Sequence, residues 1–206
     1  MRYKDEELVN EYLLEALEDV ERNPALRGIM NRVLVIDELY THTANVAKLG
    51  VQLGLELGMD NATVKKICLA GLLHDTGKIL VPSNILFKPG RLTDVEFDAI
   101  KRHSRDGYNL CRGAGVDGEV LDMILHHHEK AGGGGYPDGL RSVSPQCAVL
   151  TVADIFSALV EPRLYQRERS IEAAIAFIGT FKGLDDFILS VLREVVVDLP
   201  RMESRD

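Results

Sequence analysis

Ile67-Cys68-Leu69-Ala70-Gly71-Leu72-Leu73-His74-Asp75-Thr76-Gly77-Lys78 is the stretch on which the fold turns. An uncharged run, apolar enough to be buried all round, ends in an imidazole and a carboxylate side by side. A polar pair at the end of a buried helix is costly unless something uses it. Imidazole nitrogen and carboxylate oxygen together suit iron, manganese or zinc, and a carboxylate can bridge two ions. The plainer alternative is a histidine at a helix C-terminus satisfying free carbonyls.

Outward from this stretch the pattern is helical on both sides. The run itself sits in a helix from about Asn61 to Asp75. Upstream, a long helix is expected from about Asn31 to Leu57, closed by Gly58. It carries Glu38 and His42, four apart, so on one face and about 6 Å apart along the axis. Such a pair is either two ligands or a solvated ion pair. Further upstream, Leu8, Tyr12, Leu13, Ala16, Leu17 and Val20 mark an amphipathic helix that Asn23-Pro24 stops. Downstream, Lys88-Pro89-Gly90 marks a loop, and Thr93-Asp94-Val95-Glu96 is a capping box opening a helix through His103. Another helix is expected over Glu119 to Glu129, ended by a flexible turn at Gly132 to Gly135. Ser144-Pro145 opens a helix to about Val160, and two more follow, near Ser170–Ile178 and Leu184–Asp198. Strand-like alternation of useful length is missing. The reading is an all-α, compact helical bundle: residues 1–30 as an acidic N-terminal helix or extension, 31–206 as the main domain.

The remaining histidines and one aspartate extend the chemistry. His126, His127 and His128 are consecutive, and neighbouring helical residues point about 100° apart. His127 and His128 therefore serve one ion only where a helix is ending, as the glycines imply, or else two neighbouring ions. His126 reads as structural. Asp154 sits inside the apolar Leu150-Thr151-Val152-Ala153-Asp154-Ile155-Phe156, where a buried carboxylate needs a partner, either a metal or a core hydrogen-bond network.

Composition narrows the class. The chain has 206 residues, 46% hydrophobic and 27% charged, ordinary for a globular domain. It is long enough to bury roughly 70% of its unfolded surface without a disulfide or metal as a staple. An apolar run of about 18 residues, as a transmembrane helix needs, is missing, so no membrane association is expected. The acidic start, Met1 to Glu7, lacks the apolar core of a secretion signal. Net charge is −8, of which residues 1–22 carry −5. That balance disfavours a nucleic-acid polymer as partner but leaves room for a small phosphorylated ligand. Cys68, Cys111 and Cys147 are far apart, with no CxxC, and read as reduced core thiols of a cytoplasmic protein.

Taken in order, these motifs resemble a known family. His74-Asp75-Thr76-Gly77-Lys78 looks like the signature of the HD-domain metal-dependent phosphohydrolases. His127-His128-Glu129 followed by Gly135-Tyr136-Pro137 resembles the HD-GYP subfamily of cyclic di-GMP phosphodiesterases. The segments Ile85 to Thr93, Lys101-Arg102-His103, Asp138-Gly139-Leu140, Val152-Ala153-Asp154 and Arg163 with Tyr165 follow the same pattern, over about residues 35–190. The resemblance implies a helical bundle of the HD-domain type around two or three divalent or transition metal ions, iron foremost and manganese as the alternative. Its ligands would be Glu38, His42, His74, Asp75, His103, His127, His128 and Asp154, with Asp75 bridging two ions. Lys78 and Arg163 would contact substrate phosphate and Tyr136 would border the pocket. The implied reaction is hydrolysis of cyclic di-GMP to pGpG, and in some members GMP, by a metal-bridging hydroxide.

Several positions depart from the family pattern: Gly132 stands where an aspartate is usual, Ser157 replaces the second aspartate of D-x-x-D-A-L, and Arg-Pro-Tyr-Arg has become Arg163-Leu164-Tyr165-Gln166. Two other readings therefore stand beside the first. One is a phosphohydrolase of the same chemistry acting on another cyclic dinucleotide or nucleotide. The other is a non-catalytic signalling module that binds metal, dinucleotide or a partner protein. The N-terminal helix and the GYP loop are the candidate surfaces for a homodimer or a signalling partner.

Overall fold

The computed structural model describes residues 6–161 and 169–197, apart from the side chains of Asp37, Glu38 and Val197. The described elements are α1 (Glu6–Arg22), α2 (Pro24–Leu34), α3 (Asp37–Glu56), α4 (Asn61–Leu73), a 3-10 turn (Thr76–Leu80), α5 (Ser83–Leu86), α6 (Asp94–Lys101), α7 (His103–Gly113), α8 (Gly118–His126), α9 (Pro145–Val160), α10 (Ile171–Ile178) and α11 (Asp186–Val197). No strand occurs among them, and no helix is long and apolar enough to cross a membrane.

The architecture follows from the most apolar helices. In α4, Val64, Ile67, Cys68, Ala70, Gly71, Leu72 and Leu73 are buried, so this helix lies inside the bundle. It packs most extensively on α3, and α9 and α8 close around it. Small residues let α3 and α4 approach: a Cβ on Gly71 would stand 2.6 Å from the Ala47 Cα. Helix α1 contributes Val9, Tyr12, Ala16 and Val20 to the same core and rests on α2, α3 and α4. Its outer face carries the acidic residues. All three cysteines are free and buried.

Two helices expected as continuous are broken. The predicted helix from Asn31 to Leu57 is two helices, and the first starts earlier. Asn23 both ends α1 and caps α2, its side chain accepting from the amides of Ala25 and Leu26 with Pro24 at the first turn. Val35 and Ile36, two weak β-branched helix formers in succession, then leave the helix: Ile36 takes φ −104° and ψ 86° and packs inward while Val35 is exposed. The hydrophobic period runs through this junction, so spacing alone conceals it. The helix expected through His103 ends at Lys101 and restarts as α7. Gly107 lies inside α7 because this helix presses on the 3-10 turn. A Cβ there would stand 3.2 Å from the Gly77 nitrogen and the Thr76 Oγ1. The capping box at Thr93 and Glu96 and the Ser144 cap of α9 form as read.

Candidate metal centre

Helix ends, not helix middles, deliver most of the site. His74 caps α4 at its C-terminus and Asp75 follows it. His103 opens α7, and α8 ends at His126, so that His127 and His128 stand at the chain's exit, where adjacent imidazoles need not diverge. His42 and Asp154 come from the middles of α3 and α9. These seven side chains converge, all but His128 buried. Their ligand atoms form three overlapping groups, His42-His74-Asp75, His74-His127-Asp154 and His103-His127-His128, in each of which the atoms lie within 4.8 Å of one another. Glu38 is in α3, with its side chain outside the described residues, and Arg163 lies outside them entirely.

Backbone carbonyls set the rings. His74 Nδ1 lies 2.8 Å from the Gly71 carbonyl, His103 Nδ1 2.7 Å from that of Ile100, and His127 Nδ1 2.8 Å from that of Ile124. Each partner is three residues earlier, so the local turn fixes the tautomer. The Nδ1–H donates, and the Nε2 lone pair faces inward. His74 Nε2 and Asp75 Oδ1 are buried with no hydrogen-bond partner. His103 Nε2 and His127 Nε2 stand 3.1 Å apart, lone pair against lone pair. Orphaned buried atoms and opposed lone pairs both call for a partner, and a cation between them supplies it. The donor set, imidazole nitrogens around two carboxylates, is that of borderline and hard transition metals. The residues present therefore fit metal ions.

The electrostatics agree. Burial alone would raise the Asp75 carboxyl, but Lys78, His74 and His103 hold it well below the usual carboxylate range. Burial likewise opposes ionisation of Asp154, and His42, His128 and His74 overcome it. Burial lowers the imidazoles of His103 and His127, and takes His128 down to about 3. Neutral imidazole beside ionised carboxylate is the state that binds metal. His42 differs. Burial pulls it down, but hydrogen bonds to Asp154 and Glu161 carry it up to about 9. Its Nε2 is 3.0 Å from Asp154 Oδ1 and its Nδ1 2.8 Å from Glu161 Oε2.

Around this cluster, Lys78 places its ammonium 2.5 Å from Asp75 Oδ2 and remains partly exposed. The Tyr136 ring lies 4.6 Å from that of His128 and 6.5 Å from His103, at the border of the cluster. The loop carrying Tyr136 differs from expectation. The four glycines suggested a flexible turn, but the Glu129 carboxylate, 1% exposed, accepts from the amides of Asp138, Gly139 and Leu140 at 2.6, 2.8 and 3.0 Å. Gly132 and Gly133 take positive φ and donate to the Arg141 and Leu140 carbonyls. The glycines supply backbone conformations that a pinned loop requires. Outside the cluster, His126 bonds Asp122 and Asp138, as its structural reading requires. Glu129 belongs to the His127-His128-Glu129 motif, but its loop contacts, like the contacts of Glu161, depend on partners that only the fold brings near.

A family model described as HD domain matches residues 29–184. The chain belongs to the HD domain family. This HD domain is 36% identical over 197 residues to the cyclic di-GMP phosphodiesterase PA4108 of Pseudomonas aeruginosa, covering 90% of the present chain and 47% of that protein. It is 35% identical over 156 residues to the 3'3'-cGAMP-specific phosphodiesterase 1 of Vibrio cholerae, covering 74% and 36%. It thus spans less than half the length of either relative. Among solved structures it superposes on Bd1817, an HDG"Y"P protein from Bdellovibrio bacteriovorus, with a TM-score of 0.65 at 20% identity over 77% of this chain and 52% of that one. That likeness is of the fold, and agrees with the helical bundle read from the sequence.

Proposed function

We propose that this HD domain is a metal-dependent phosphodiesterase that opens cyclic di-GMP to linear pGpG, with GMP as a second product. The observation that carries the reading is the convergence of His42, His74, Asp75, His103, His127, His128 and Asp154, with unpartnered ligand atoms aimed inward. Its resemblance to relatives named as cyclic dinucleotide phosphodiesterases supplies the substrate class. Glu38 completes the ligand set. We assign two or three ions, iron foremost and manganese as the alternative.

The chain's part in the reaction follows from its geometry. Bound in this cluster, the ions would lower the pKa of a water and offset charge growing on the phosphodiester. The imidazoles of His74, His103 and His127, each fixed by a backbone carbonyl, keep their ligand atoms from reorganising during the reaction. Asp75, with one carboxylate oxygen toward His42 and His74 and the other toward His103, would offer a ligand oxygen to each side of the cluster. Lys78 would turn its ammonium from Asp75 to a phosphate oxygen and stabilise the transition state. Tyr136 would limit the pocket and exclude water, and Arg163 would hold a second phosphate. Burial raises the Tyr136 phenol, with Asp154 and Asp75 adding to the effect, so it acts as a neutral hydroxyl.

The Vibrio cholerae relative supports a second substrate within the class, a mixed cyclic dinucleotide. The test is a panel of cyclic di-GMP, 3'3'-cGAMP, cyclic di-AMP and nucleotide monophosphates with metal-loaded protein, products resolved by chromatography. Cyclic di-GMP should give pGpG, and a His74→Ala, Asp75→Ala double variant should give none. Full turnover by that variant would end the assignment, and binding without product would favour a non-catalytic module. We place the activity in the cytoplasm, in keeping with the three reduced thiols. Residues 1–30 we read as an extension to the domain at 31–206. That extension and the GYP loop are the candidate contacts for a homodimer or a signalling protein.

A further inference from the structure

Helix α9 lacks a carboxylate at Ser157, where the family pattern has an aspartate, and Glu161 follows at its end. In the fold, Glu161 lies one turn beyond Ser157 and donates its amide to the Ser157 carbonyl at 3.0 Å, so the two positions share a face of the helix end. Its side chain is 14% exposed and turns inward across α3. Oε2 accepts from His42 Nδ1 at 2.8 Å, and Oε1 accepts from Asn45 Nδ2 at 2.8 Å. His42 and Asn45 are three apart on α3, on one face, so both carboxylate oxygens are held by a single helix surface.

His42 needs this partner. His74, His103 and His127 each donate Nδ1–H to a carbonyl of their own chain three residues back. His42 lies mid-helix, where that carbonyl is taken by the helix ladder, and its Nδ1 bond goes to Glu161 instead.

We propose that Glu161 is a positioning residue of the metal centre, the carboxylate that fixes the His42 ring and turns its Nε2 toward Asp154, with Asn45 holding Glu161 in register. It restores on the same face of α9 the carboxylate missing at Ser157. A carboxylate on the far nitrogen of a ligand imidazole also raises its basicity as a donor. The proposal rests on the metal-centre reading above and not on which dinucleotide is cleaved.

The test measures metal binding by the whole chain, without substrate. Metal-free wild type, Glu161→Ala, Glu161→Gln and Asn45→Ala are titrated with Mn²⁺ and followed by electron paramagnetic resonance, with bound metal counted by elemental analysis. Loss of an outer partner of a ligand histidine costs about 10–100-fold in affinity. Glu161→Ala should weaken one class of bound Mn²⁺ by that factor. Glu161→Gln, whose amide oxygen accepts the same N–H, should recover most of it, and Asn45→Ala should fall between wild type and Glu161→Ala. Should Glu161→Ala fail to fold, Glu161→Gln and Asn45→Ala still decide, read in that order against wild type. Unchanged affinity in Glu161→Ala overturns the proposal, as does a Gln variant no better than a folded Ala variant. If the wild type cleaves no cyclic dinucleotide while this order of affinities holds, the substrate reading fails and the role of Glu161 stands.

Discussion

Replacing Gly77 by alanine tests whether helix α7 is pressed against the turn that follows the His-Asp pair. A Cβ built there meets the His103 carbonyl oxygen and the Gly107 amide nitrogen, both backbone atoms of α7. Neither can rotate away as a side chain would, so relief requires α7 to move as a body. Inserting one carbon into a packed interior costs typically 1–3 kcal/mol, and with backbone on the receiving side we expect about 3 kcal/mol. For a domain of this size that lowers Tm by about 6–12 °C. The movement also carries His103 from its place 3.3 Å from Asp75 and 3.1 Å from His127, so bound metal should fall with stability. Gly134 is the control, because nothing lies within 4 Å of a Cβ there and its φ is not positive. Thermal melts by circular dichroism, with and without Mn²⁺, read both variants. Gly77 has no left-handed φ, so in an open site alanine would stabilise by about 0.4–1 kcal/mol through the unfolded chain. A Gly77→Ala protein that melts at or above the wild type with full metal content would refute the packing argument.

Other consequences follow from single contacts. Glu129→Ala strips three amides of the 138–140 loop of their acceptor, which should cost about 2–4 kcal/mol after partial rescue by water. Limited proteolysis should then cut between residues 130 and 141, and wild-type resistance there would contradict it. Lys78→Met should keep the metal while lowering kcat by about 100-fold, the usual loss for one donor to a developing charge; an unchanged kcat, or metal lost in parallel, would remove its assigned role. Burial pushes the thiols of Cys68, Cys111 and Cys147 up to about 12, 11 and 12. None should react with a thiol reagent at pH 8 in the folded protein, and all should react after denaturation; fast labelling of the native state would count against the core described here.

Much of the fold is visible in the sequence because capping is local. Thr93 with Glu96, and Ser144 with Pro145, announce helices that start where read, and the buried run before His74 places α4 inside. The break at Val35 and Ile36 is hidden because apolar spacing continues through it, and α7 is hidden because Gly107, a weak helix former, sits inside it at a point of close approach. The candidate site divides in the same way. His74 and Asp75 betray themselves by polarity at the end of an apolar run, and Asp154 by a charge inside one. His103 stands out only through the family pattern. Glu129 is likewise part of that pattern, though its role in pinning the loop is not, and Glu161 carries no mark at all. Glu161 finds His42 over 119 positions of chain, a distance that only the packing of α3 on α9 closes.

The central claim is that these imidazoles and carboxylates exist to hold ions. Elemental analysis of the folded chain after anaerobic reconstitution with iron or manganese addresses it without reference to substrate. The account predicts about two or more ions per wild-type chain, as a phosphodiester site built on paired cations requires, and fewer than about one in the His74→Ala, Asp75→Ala protein. A folded wild type that retains no metal, or a double variant that retains as much as wild type, would contradict it.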